Sequence, residues 1–113
     1  MKNLLLPLIL LSPFAVVPTT ASASDLAVSV CEYVSADDKK RLRKFLKSNN
    51  LKIRNIFDGV KCNGSDLLSF ASAQNAVNTG TLIIKKLPKN TVASLMGNIA
   101  NADLLSAAQK RAG

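Results

Sequence analysis

Residues 38–48, Asp38-Lys39-Lys40-Arg41-Leu42-Arg43-Lys44-Phe45-Leu46-Lys47-Ser48, carry the clearest periodicity in the chain. Leu42, Phe45 and Leu46 fall at i, i+3 and i+4, the spacing that sets side chains on one face of an α-helix. Lys39, Lys40, Arg43, Lys44 and Lys47 project toward the opposite side, with Arg41 at one edge. A helix is therefore predicted over 38–48, apolar on one face and densely basic on the other. Ser35-Ala36-Asp37-Asp38 offers capping oxygens and negative charge at its start. Asn49-Asn50 ends it.

Before it, Leu26 to Val34 has apolar residues at 26, 27, 30, 31, 33 and 34, which fits a short buried helix. After residue 50, Leu51-Lys52-Ile53-Arg54 alternates apolar and basic residues and reads as a short strand or an extended loop within an irregular region that includes the turn Asp58-Gly59. Asn63-Gly64-Ser65 is a second turn and cap. Asp66 then stands in the first turn of a helix that buries Leu67, Leu68, Phe70 and Ala71 and ends near Asn75. A further helix is predicted from Asn78 to Leu87, where Lys85 and Lys86 suit the negative end of the helix dipole and Pro88 closes the segment. The tail places Val92, Leu95, Met96 and Ile99 at helical spacing, followed by Leu104 and Leu105 and interrupted by Gly97, Asn98 and Asn101, and predicts a C-terminal helix over about 91–109. The fold class is all-α: paired antiparallel helices with a C-terminal helix.

The start of the chain has another character. Lys2, the apolar run Leu4 to Val17 and Ala21-Ser22-Ala23 form the three parts of a secretory signal peptide over 1–23, cleaved between Ala23 and Ser24. The run is too short to span a membrane, where about 20 apolar residues are needed. The bulky Val30 before Cys31 argues against a lipidated cysteine. Residues 24–113 then make one small domain, expected in the periplasm or outside the cell, with no transmembrane segment after cleavage. Its 14 Lys and Arg, the 15 of the whole chain less Lys2, stand against 7 Asp and Glu, for a net charge of +7. A domain this small benefits from a covalent staple. Cys31 and Cys62 are the only two cysteines, and in an oxidising space they are expected to pair, worth roughly 3 to 4 kcal/mol in the chain-entropy account.

Two resemblances follow. Asn63-Gly64-Ser65-Asp66-Leu67-Leu68-Ser69-Phe70-Ala71 resembles the turn and first helix of an ankyrin repeat, and Leu82-Ile83-Ile84-Lys85-Lys86-Leu87 is similar to its second helix. Asp66 stands where that repeat has proline, and Gly80 comes late for the glycine that separates the two helices. With Val28 to Val34 and Asp38 to Asn50 as a degenerate earlier pair, the resemblance implies an ankyrin-like stack of barely two repeats. A closer one spans Val30 to Lys89. Val30-Cys31-Glu32-Tyr33-Val34, the helix start from Asp37-Asp38 to Arg41-Leu42-Arg43, Ile56-Phe57-Asp58-Gly59-Val60-Lys61-Cys62-Asn63-Gly64, and Asn75-Ala76 followed by Lys85-Lys86-Leu87-Pro88 resemble a small exported bacterial family labelled domain of unknown function 3718. That resemblance implies a self-contained secreted domain and carries no activity with it.

Chemistry is scarce. The chain has no histidine, the commonest general base and metal ligand, and no GxSxG, P-loop, GxGxxG or EF-hand pattern. Asp37, Asp38, Asp58 and Asp66 read as helix-start and turn residues and Glu32 as a lone charge, so neither catalysis nor a cofactor or metal is expected. What stands out is the basic face Lys39, Lys40, Arg43, Lys44 and Lys47, extended by Lys52 and Arg54, as a candidate anion-binding surface. Nucleic acid is disfavoured by the compartment and by the lack of interleaved stacking aromatics, with Phe45 expected to point into the core. The expected role is an exported binding or interaction module for an unknown protein or an anionic envelope component. The alternative is a cationic envelope-active protein that binds anionic lipid or lipopolysaccharide through the basic helix 38–48.

Overall fold

A computed structural model of the chain describes residues 23–113. The leader expected over 1–23 lies outside these residues except for Ala23, at which the first helix begins, so the junction Ala23–Ser24 falls in that helix's first turn. The described residues form helices α1 (Ala23–Ser35), α2 (Lys39–Ser48), α3 (Ile53–Ile56), α4 (Leu67–Ala73), α5 (Val77–Lys86), α6 (Lys89–Leu95) and α7 (Ala102–Ala112). A 3₁₀ turn, Met96–Asn98, separates α6 from α7. None of the described helices is long and apolar enough to cross a membrane.

Three of these helices end in the same way. Asp37, Asn50 and Asn75 all have φ between 53° and 55°, the left-handed conformation that Asp and Asn tolerate better than other side chains. Each sits just past a helix end, where the next residue's N–H reaches back five positions: Asp38 to Tyr33, Leu51 to Leu46, and Ala76 to Ala71, at 2.8 to 2.9 Å. This is the Schellman closure, which satisfies carbonyls that the helix leaves without partners. It turns the chain sharply enough for consecutive helices to pack. At the starts, Asp38 accepts from the Arg41 N–H at 3.0 Å, Asp66 from the Ser69 N–H at 2.8 Å, and Asn101 from the Leu104 N–H at 3.0 Å. Asp66 is thus the N-cap of α4, one position before the first turn in which the sequence placed it.

Helix α1 packs on α2 and on α4, α4 packs on α5, and α2 packs on α5. First helix meets first and second meets second, so two helix pairs are stacked side by side. Val30, Val34, Leu42, Leu67, Leu68, Ile83 and Ile84 fill the seam, all nearly or fully buried. The expected disulfide joins Cys31 in α1 to Cys62 with Cα atoms 5.7 Å apart. Cys62 opens a tight turn through Asn63 and Gly64, both at positive φ, that leads into α4.

The structure corrects the reading of three segments. Leu51 to Arg54, expected as a strand or loop, leads into the single helical turn α3, because Ile53 and Phe57 lie at i and i+4 and both are buried. The tail is not one helix over 91–109. Gly97 and Asn98 break it, and the Ser72 hydroxyl, itself buried, accepts from the N–H groups of Ala100 and Asn101 at 2.8 and 3.0 Å, pinning the reversal against α4. Helix α7 then runs back against both α6 and α5. Phe45 does not enter the core. It is half-buried at the edge and packs its ring on Tyr33, centroids 5.5 Å apart.

One contact sets where α5 begins. Its N-cap, Ala76, has no side-chain oxygen to offer. Asp37 supplies one from 41 to 42 residues away: its carboxylate accepts from the N–H and side-chain amide of Asn78 and from the N–H and hydroxyl of Thr79. A single residue thus closes α1 and caps α5, locking the first helix pair to the second.

Candidate anion-binding groove

Helix α5 is held along its length. Asp37 caps its start, and midway Gly80 faces Leu104 of α7 so closely that a Cβ there would lie 2.6 Å from the leucine side chain. Gly80, which departs from the ankyrin pattern by coming late, lies inside α5 as the helix expected over 78–87 implies, and it permits the close approach of α7. As a result, the C-terminal ends of α2, α5 and α7 converge around one groove of about 760 Å³. Its floor is Leu46, Leu51, Ile53 and Leu82.

Eight cations surround that floor. Arg43, Lys44 and Lys47 come from α2, Lys52 and Arg54 from the start of α3, Lys85 and Lys86 from α5, and Arg111 from α7. No carboxylate lines the groove. Among the described residues the Arg41–Asp38 pair at 3.5 Å is an ion pair, and it lies outside the groove. Helix dipoles account for part of this concentration: Lys47, Arg54, Lys85, Lys86 and Arg111 stand in last turns, where a cation gains about 0.3–1 kcal/mol. Arg43, Lys44 and Lys52 have no such reason to be there.

Arg111 differs from the lysines. Its guanidinium donates to the Leu87 carbonyl at 2.9 Å, which fixes the side chain across the end of α5. Its Nε is buried with no hydrogen-bond partner among the described residues. The cation is therefore held in place before any ligand arrives, whereas lysine side chains must be ordered on binding.

Of the residues expected to bind anions, the fold brings Arg43, Lys44, Lys47, Lys52 and Arg54 together, while Lys39 and Lys40 stand exposed on the first turn of α2, outside the groove. Sequence reasoning missed Lys85, Lys86 and Arg111 as members of the same site. The double lysine was visible but read as a match to the helix dipole and as part of the two resemblances, and nothing local to Arg111 marks it. A smaller depression of about 310 Å³ beside the disulfide is lined by Val28, 55% exposed, and by one charge of each sign, Glu32 and Lys61, so it concentrates no field.

A family model described as a protein of unknown function, DUF3718, matches residues 30–94, more than half of the 113-residue chain. No curated protein and no solved structure matches the chain. The matched span takes in the disulfide, α2 to α5 and every groove cation except Arg111.

Proposed function

This chain belongs to the DUF3718 family, whose description assigns no activity, and we propose from its groove that it is a small exported binding module whose partners carry negative charge. The observation that carries the reading is the convergence of eight cations from four helical segments on one concavity with no carboxylate in its lining. Such a surface attracts anions over several ångströms and focuses the field where the walls exclude water. Export is supported by the leader pattern of residues 1–23 and by the Cys31–Cys62 disulfide, a bond typical of oxidising compartments. The partner is an anionic envelope component in the periplasm or outside the cell. The side-by-side helix pairs favour the ankyrin-like arrangement and with it a module built to recognise rather than to react. Catalysis forms no part of this proposal: the chain has no histidine, and the carboxylates of Asp37, Asp38 and Asp66 are taken up by helix starts.

Retention on vesicles containing phosphatidylglycerol tests it. The protein should bind, and binding should weaken steeply as salt rises, because exposed charges are screened over about 8 Å at physiological ionic strength. Equal retention on neutral phosphatidylcholine vesicles, or none on either, would contradict it.

The rival reading, a cationic envelope-active protein that engages membranes through the helix 38–48 face alone, draws on the separation of the basic side chains from Leu42 and Leu46, both buried. It treats Lys39 and Lys40 as equals of Arg43 and Lys44. The groove reading does not.

A further inference from the structure

We infer that the groove takes a single anionic amphiphile, its charged head on the basic rim and one alkyl chain along the floor. This rests on the anion-binding reading above and deepens it by naming the class of ligand. The floor decides the class. Leu46, Ile53 and Leu82 belong to the core and reach the groove only with their edges, whereas Leu51 lies half-buried at its base and adds apolar surface that a site for a bare anion would not need. The walls extend that apolar surface, because lysine and arginine lay methylene stems along a groove while their heads reach its edge. Apolar surface below and unpaired cations above are complementary to an amphiphile and to neither of its halves alone.

Size and rigidity agree. About 760 Å³ falls within the range of cavities that bury one small molecule. Arg111, tied to Leu87 at 2.9 Å, offers a fixed guanidinium at one end of the groove, suited to paired oxygens such as those of a phosphate. Lys85 and Lys86 stand on the same helix end. These like charges repel one another; a multiply charged head relieves the repulsion while the chain covers Leu51 and the exposed edges of Leu46, Ile53 and Leu82.

Titration of the full-length, disulfide-bonded protein with monomeric dodecyl phosphate, followed by calorimetry and by methyl NMR shifts, tests the inference. One molecule per protein should bind and shift the methyls of Leu51, Ile53 and Leu82. Inorganic phosphate and the uncharged dodecyl maltoside should each bind at least tenfold more weakly, and shortening the chain to octyl phosphate should weaken binding severalfold. Leu51→Ser, at a half-exposed position that folding tolerates, should reduce affinity for dodecyl phosphate without changing that for inorganic phosphate. If inorganic phosphate binds as tightly as dodecyl phosphate, or if phosphatidylglycerol vesicles bind and monomeric dodecyl phosphate does not, the amphiphile inference falls while the anion-binding reading stands. If the protein is not retained on phosphatidylglycerol vesicles, the anion-binding reading falls and the amphiphile inference falls with it.

Discussion

The junction of the two helix pairs and the basic groove are both rich in polar groups, and they treat them in opposite ways. At the junction every group is answered: the Asp37 carboxylate meets four donors on Asn78 and Thr79, and the Ser72 hydroxyl meets two backbone N–H groups. In the groove eight cations gather with no carboxylate, and the Arg111 Nε is buried without a partner. Satisfied polar groups fix a structure, because removing one partner strands the other. Cations gathered without counter-charges cost stability, which is the trade often seen where a surface serves binding. The contrast separates what holds this chain together from what it presents to others.

That separation can be broken by experiment, beginning with the change expected to matter most. Reducing Cys31–Cys62, or replacing both residues with serine, should cost about 3 to 4 kcal/mol, since the bond closes a loop of 31 residues. Chemical denaturation with and without reductant measures this, and a loss under about 1 kcal/mol would mean that the helix seam alone carries the fold. Next in size, Asp37→Ala should cost about 2 to 3 kcal/mol, combining a lost helix cap with a left-handed backbone that alanine disfavours. Asp37→Asn keeps the conformation and one acceptor oxygen but turns its NH₂ toward donors that the other oxygen served, and should cost about 1 kcal/mol. Equal losses in the two variants would show that charge, not geometry, makes the junction.

A smaller effect is expected at Gly80. Gly80→Ala drives a methyl group into the Leu104 side chain, which is fully buried, and should cost about 1 to 2 kcal/mol. No loss would mean that α7 shifts freely and that Arg111 is not held over the groove. Smallest of all, Lys85→Gln with Lys86→Gln should move stability by under about 0.5 kcal/mol, in either direction, because both side chains are exposed. A large destabilisation would place these lysines with Asp37 rather than against it.

How much of this was legible depends on how local the cause is. Helix α2 was readable because Leu42 and Leu46 recur at helical spacing and Asp38 caps from within the same turn. The disulfide was readable because two cysteines leave a single intramolecular pairing. Asp37 was read as one more helix-start residue, since nothing nearby announces that its partners are 41 and 42 residues away. The tail was read as one helix because its apolar spacing persists through Gly97, and the contact that bends it comes from Ser72 in α4. Half of the groove was visible as the basic run from Arg43 to Arg54. The rest, Lys85, Lys86 and Arg111, joins it only through the packing of α5 on α2 and of α7 on α5.

Binding belongs to the groove and not to the basic helix as such. Two double variants of equal charge separate these: Lys39→Gln with Lys40→Gln, both on α2 and outside the groove, and Lys85→Gln with Lys86→Gln, both inside it. Measured side by side for affinity to phosphatidylglycerol vesicles at one salt concentration, the Lys85 and Lys86 variant should lose at least tenfold, while the Lys39 and Lys40 variant should lose no more than about twofold. Equal losses, or a larger loss for Lys39 and Lys40, would contradict the account and return the function to the exposed face of α2.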